Sequence, residues 1–347
     1  MKRVLTLGTV LLLSIQSFAQ TYVAQVKPTG SKNWGYVASS GEMILEDNYR
    51  KCTAFSEEGL ALYYVRPYFK IINLEGEVIP SDINGYKILE LFGFGMKGFQ
   101  DGMLAVHRDD KWGFLNTEGK VAIDLEYDKV IAFNNGKSVG QKGEKFYLLS
   151  TDGSSSLIDI PDIIEVNDFV NGLAPFRTAD KKWGFIDSSG QVAIPAMYMA
   201  VGYFTTDLAW ARGDNELLGF IDQSGKWVIE PKFQTAKSFD PTNDIARIKI
   251  DDQWGYTNRS GDVIRIEDTS KWEDFNDGLA LGRKDDQFGF FDESGQWVIE
   301  PQFEGARHFK NGFAAAKKDG LWGYIDKTGK WVIEPQYAGV KDFEKVN

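Results

Sequence analysis

The chain has 347 residues, 43% hydrophobic and 14% aromatic, and a formal charge of −11. That acidity excludes nucleic acid as a partner, because phosphate contacts need clustered Lys and Arg, and no basic run longer than a pair occurs. One cysteine, Cys52, and two distant histidines, His107 and His308, exclude an internal disulfide and a Cys/His zinc site, so no metal and no cofactor is expected.

The first element is residues 1–19. Lys2 and Arg3 precede a mostly apolar run, Val4 to Ile15, and Ser17-Phe18-Ala19 puts small residues three and one before a cut at Gln20. This is the build of an export signal, with an apolar run too short to span a bilayer comfortably. The expected mature chain is residues 20–347, periplasmic or secreted to the cell surface, with no membrane span after cleavage. Its charge is −13, from 37 basic and 50 acidic residues once Lys2 and Arg3 are removed.

From Trp34 onward the chain repeats itself. The pattern aromatic–Gly–aromatic–apolar–Asx–x–x–Gly starts at Trp34, Trp112, Trp183, Trp254, Phe288 and Trp322, with weaker starts at Phe69, Phe146 and Leu218. The nine starts lie 35, 43, 34, 37, 35, 36, 34 and 34 residues apart, and a glycine follows every start by seven, from Gly41 to Gly329. A second signal, Phe–x–x–Gly–Leu–Ala or a variant, falls between them at Phe55, Phe99, Phe169, Phe204, Phe275 and Phe309. Short runs of Val, Ile, Phe, Tyr and Trp bounded by turn residues read as strands, about three per unit. The Asx–x–x–Gly element is a hairpin turn, capped by the Asx side chain and closed by a glycine that tolerates positive φ. The Glu-Pro after "WVI" is expected to end the last strand. The Trp of the Trp-Gly pair is expected in the core, since Phe and Leu replace it elsewhere.

Two stretches break the period. Asn84–Phe99, "NGYKILELFGFGMKGF", carries about eight extra residues, and Phe92 and Phe94 among its glycines make a candidate binding loop. Ser150–Val166 lengthens a turn. The segment Gln25–Ser40 and the final "YAGVKDFEKVN" are expected to cap the two ends of the array.

The recurring "KWGFID..G", "LWGYIDKTGKWVIEPQY" and "F..GLA" patterns resemble the WG-repeat family, also called KWG repeats, from about Trp34 to Phe343. The resemblance implies an exported or surface-associated β-repeat protein and carries no catalytic residues to transfer.

Internal copies weigh the remaining candidates. The turn aspartates Asp187, Asp222, Asp292 and Asp326 suggest calcium, but Asn73, Asn116, Asn258, Ser150 and Ala38 hold the same slot, and the capping geometry that Asp, Asn and Ser share without sharing charge favours turn chemistry. Glu230, Glu300 and Glu334 recur once per unit, whereas a catalytic carboxylate pair needs two different environments. Trp227, Trp297 and Trp331 follow the hairpin turn in three later units. They are either packing between units or a row of exposed rings that stacks on sugars or protein side chains.

The expectation is an all-β domain of about nine tandem three-stranded units, residues 20–347. The first arrangement is an open, solenoid-like array; the alternative is a closed, β-propeller-like ring. The expected function is non-enzymatic binding or scaffolding of a protein or polysaccharide of the cell envelope. A carbohydrate-binding module using Trp227, Trp297 and Trp331 is the alternative, and a carboxylate-based glycan hydrolase comes third. The candidate binding residues are Trp227, Trp297, Trp331, Phe92 and Phe94, with no catalytic residues.

Overall fold

The computed structural model describes residues 21–347 apart from 67, 82–84 and 92–94. The export segment and the candidate residues Phe92 and Phe94 lie outside the described residues. Those that are described form β-strands, turns and loops, with no helix among them.

The unit spanning residues 163–198, the fifth of nine, shows the build. Strand a (Ile163–Val166) is followed by strand b (Leu173–Thr178), strand c (Trp183–Asp187) and strand d (Val192–Tyr198), hydrogen-bonded side by side in that order. Each unit was expected to hold three strands, and most hold four. The extra one is strand a, often only two residues, as in Lys129–Val130 or Ala200–Val201. A two-residue strand is too short to show a period.

The motifs explain the sheet locally. The a–b turn uses Asn-Gly or Asp-Gly: Asn171 and Gly172 have φ of 48° and 79°, the positive pair that a two-residue hairpin loop requires. At the c–d turn, Asp222 Oδ1 accepts from the Ser224 amide at 2.8 Å, the Ser224 hydroxyl at 2.7 Å and the Lys226 amide at 3.0 Å. Asp187, Asp292 and Asp326 do the same in their units. These aspartates cap turns.

Strand d does not stop at Glu-Pro, contrary to expectation. It runs through Pro231, Pro301 and Pro335, and the c–d register slips just there. A bulge leaves one residue without a ladder partner, which is where a strand tolerates proline. The same bulge explains the glycine of the Trp-Gly pair. It pushes a strand-d carbonyl toward strand c, and a Cβ on Gly289 would sit 2.5 Å from the Ile299 carbonyl oxygen.

The core lies between units. Among the described residues every unit packs through one buried cluster on each side, making nine clusters for nine units. An open row of nine has eight seams. The ninth joins the chain ends: Ala24, Val26 and Val37 pack with Ala315, Tyr324, Ile333, Val340 and Phe343. Backbone pairing agrees, with Val26 opposite Val340, Lys27 opposite Gly339, and Thr21–Val23 opposite Glu344–Val346. The all-β tandem-repeat class thus stands as expected, and its ends meet as in the ring alternative. The two end segments are not caps. The C-terminus supplies the inner strand of a unit whose strands b, c and d are Thr21–Pro28, Trp34–Ala38 and Met43–Tyr49.

Candidate functional site

The Phe–x–x–Gly loops all turn toward the ring axis. Their phenylalanines, Phe55, Phe99, Phe133, Phe169, Phe204, Phe239, Phe275, Phe309 and Phe343, are each no more than 5% exposed. In seven seams such a Phe packs at 4.5–4.9 Å on the aromatic that follows the Trp-Gly pair of the preceding unit, as Phe309 does on Phe290. Edge-on and tilted ring pairs of this kind add to area burial. Side chains of the same loops reach from unit to unit. Asn171 donates to the Phe204 carbonyl at 2.9 Å, Thr205 to the Phe239 carbonyl at 3.0 Å, and Asn311 to the Phe343 carbonyl at 2.9 Å. Asp277 accepts from the Gly312 amide at 2.8 Å.

The residue before each of these phenylalanines lines the axis. Two cavities, of about 600 and 810 Å³, divide all nine positions between them. Here the repeat stops repeating. Units two to four present Ala54, Gly98 and Ala132. The remaining arc presents Asp168, Tyr203, Ser238, Asp274, His308 and Asp342. A slot varied in chemistry beside an invariant buried Phe is freed from the packing that fixes its neighbour.

The carboxylates of this arc differ in their surroundings. Arg307 Nε donates to Asp342 Oδ1 at 2.7 Å and Nη2 to Oδ2 at 3.2 Å. Arg247 lies 2.7 Å from Asp274. Asp168 opens into the larger cavity, where the Tyr203 hydroxyl is 3.5 Å from its Oδ2. Although its side chain stays open to the channel, partial desolvation by the wall raises the carboxyl above the usual range, against the opposing pull of Lys97 and Tyr203. Burial, then Asp168, raise the Tyr203 phenol as well. Across the same cavity Lys310 Nζ is 2.7 Å from Glu344. The inserted stretch also reaches this cavity: Glu90–Leu91 and Gly95–Met96 form a small hairpin, and Leu89, Met96 and Lys97 line the wall.

The tryptophans singled out from the sequence are elsewhere. Trp227, Trp297 and Trp331 begin the outermost strand d of their units, half-buried in seams. Trp227 meets Tyr198 edge-on at 5.5 Å, Trp331 meets Phe303 at 5.6 Å, and Trp297 meets Phe291 at 5.5 Å while donating to Asp268. They share no surface with the channel arc. The tryptophans of the Trp-Gly pairs, expected in the core, are only half-buried, and Trp254 is exposed. Several carry a cation over the ring, such as Lys27 on Trp34 and Arg177 on Trp183. Sequence reading found the Phe motif and missed the slot before it; aligning the nine copies on that Phe exposes the slot.

A family model described as "WG containing repeat" matches residues 112–146, 183–215, 219–254, 288–322 and 322–345. No curated protein matches the chain. Among solved structures, a eukaryotic initiation factor is similar over 94% of this chain and 98% of its own, at 10% identity and a TM-score of 0.60. The computationally designed Ika8 protein is similar over 79% and 94%, at 12% identity and a TM-score of 0.41. An Hsv2 protein of Kluyvelomyces marxianus is similar over 71% and 97%, at 10% identity and a TM-score of 0.41. The first of these likenesses is one of fold alone.

Proposed function

The chain belongs to the WG-repeat family, and we propose that it is a non-enzymatic binding or scaffolding module, exported to the cell envelope or exterior, that holds its partner at the axial channel. One observation carries this reading. The buried Phe after the slot recurs in all nine copies, yet the slot itself runs from Ala54 to Asp168, Tyr203, Ser238 and His308. Packing needs repetition, while recognition of one ligand needs a different group at each point around it. Export is supported by the charged and apolar segments of residues 1–19. A binding role is favoured over hydrolysis because Asp274 and Asp342 are each held by an arginine, and Asp168 lines the other cavity.

The test uses the mature chain, residues 20–347, immobilised and exposed in parallel to envelope proteins and envelope polysaccharides. Two variants accompany it: Ala132→Trp, which puts an indole into the larger cavity, and the triple change of Trp227, Trp297 and Trp331 to Ala. Retention that Ala132→Trp abolishes in a folded protein supports the channel. Retention unaffected by Ala132→Trp but lost with a folded triple variant moves the site to the outer seams and overturns the assignment.

A further inference from the structure

We propose that the larger channel cavity receives an alkylammonium group, a primary ammonium on an aliphatic stem, with the Asp168 carboxylate as its anchor and the Tyr203 ring as its side wall. This rests on the channel being the binding surface. Four carboxylates line that cavity. Glu344 is bonded to Lys310 at 2.7 Å, and Asp101 accepts the Gly136 amide at 2.7 Å. Of the remaining two, Glu57 and Asp168, Asp168 has the Tyr203 hydroxyl 3.5 Å from its Oδ2. Among the described residues no Lys or Arg lies within ion-pair distance of it. Lys97 is near enough to ease its ionisation without pairing.

The rest of the wall suits the stem. Ala54, Leu89, Met96, Val130 and Ala132 offer apolar surface along the adjoining arc. Asp168 faces the open channel, so a ligand that brings an ammonium gains a charge-assisted hydrogen bond there that one bringing only hydroxyls does not make. A phenol ring next to the anchor adds cation–π attraction, and an apolar wall accepts methylenes. Lys97 competes for the anchor, so its removal should help.

The experiment is titration calorimetry of residues 20–347 with three probes: Nα-acetyl-lysine methylamide, its norleucine counterpart, and 1-aminopentane. Expected is binding of both amines and none of the norleucine compound. Asp168→Asn should weaken the amines about tenfold or more, since bonds to charged groups are the strong ones. Tyr203→Ala should weaken them severalfold, Tyr203→Phe less than twofold, and Lys97→Ala should tighten them. If 1-aminopentane binds as tightly as the lysine probe, a free amine suffices; a clear preference for the lysine probe points to a protein side chain. Equal binding of the norleucine probe, unchanged affinity in a folded Asp168→Asn chain, or no amine binding overturns the proposal. If the amines fail while an envelope partner is still lost with Ala132→Trp, only the ligand class is wrong. If both fail, the channel reading falls with it.

Discussion

At the scale of single residues, two positions per unit carry the geometry. The glycine of the Trp-Gly pair faces a bulged carbonyl, so Gly289→Ala should cost about 1–3 kcal/mol, the usual range for forcing atoms into a packed site. The urea midpoint of the variant measures it, and an unchanged midpoint would show the bulge to be soft. The turn aspartates make a pH prediction. The Ser189 hydroxyl at Asp187, the Ser224 hydroxyl at Asp222 and the Thr328 hydroxyl at Asp326 hold these carboxyls below their usual range. A depressed folded value means the stabilisation is present above the unfolded value of about 3.9 and lost as pH falls through the folded one. Melting temperature should therefore be flat above about pH 5 and fall as the pH drops below about 4, and Asp222→Asn should soften that acid slope. These turns were legible in the sequence because Asx and Gly act locally, through their own backbone and the next few residues. The half-burial of Trp34 or Trp183 was not legible, since it is set by Lys27 and Arg177 on a neighbouring strand.

At the scale of elements, seams rather than sheets hold the molecule together. Phe309 is buried between its own loop and Phe290, so Phe309→Ala should cost about 3–5 kcal/mol. Trp331 is half-buried at the outer end of the same seam, and Trp331→Ala should cost roughly half as much. Hydrogen exchange should show both losses concentrated in units eight and nine; uniform loss around the ring would mean the seams are not independent. Strands b, c and d could be read from their runs of Val, Ile and aromatic residues. Strand a could not, because two residues such as Thr235–Ala236 carry no period. The continuation of strand d through Pro231 was hidden for a related reason: proline signals a strand end unless a bulge opposite a glycine makes room for it.

At the scale of the whole molecule, a ring encloses a channel, and both depend on pairing between residues 27 and 339, far apart in sequence. No local rule reports such a contact. The chain ends did hold a clue: "YAGVKDF" supplies a strand a and a channel Phe, and among the described residues Thr21 opens directly on a strand b. Each end completes the other. Removing residues 338–347 should therefore expose Val26 and Ile333, lower the melting temperature, and free units one and nine to exchange first. The channel slot was likewise concealed, because Asp168, Tyr203 and His308 look unrelated until the ring brings them to one axis.

Ring closure is tested most directly by a distance between the two ends. Thr29 and Gln336 are adjacent across the closing seam, with the Thr29 hydroxyl donating to the Gln336 carbonyl at 3.0 Å. With Cys52 replaced by Ser, spin labels placed at Thr29→Cys and Gln336→Cys should give one short distance, set by the label linkers alone. An open row would hold them apart by about 80 Å, eight sheet spacings of about 10 Å each. A long or broad distance in the folded protein would contradict the ring, and with it the channel and its site.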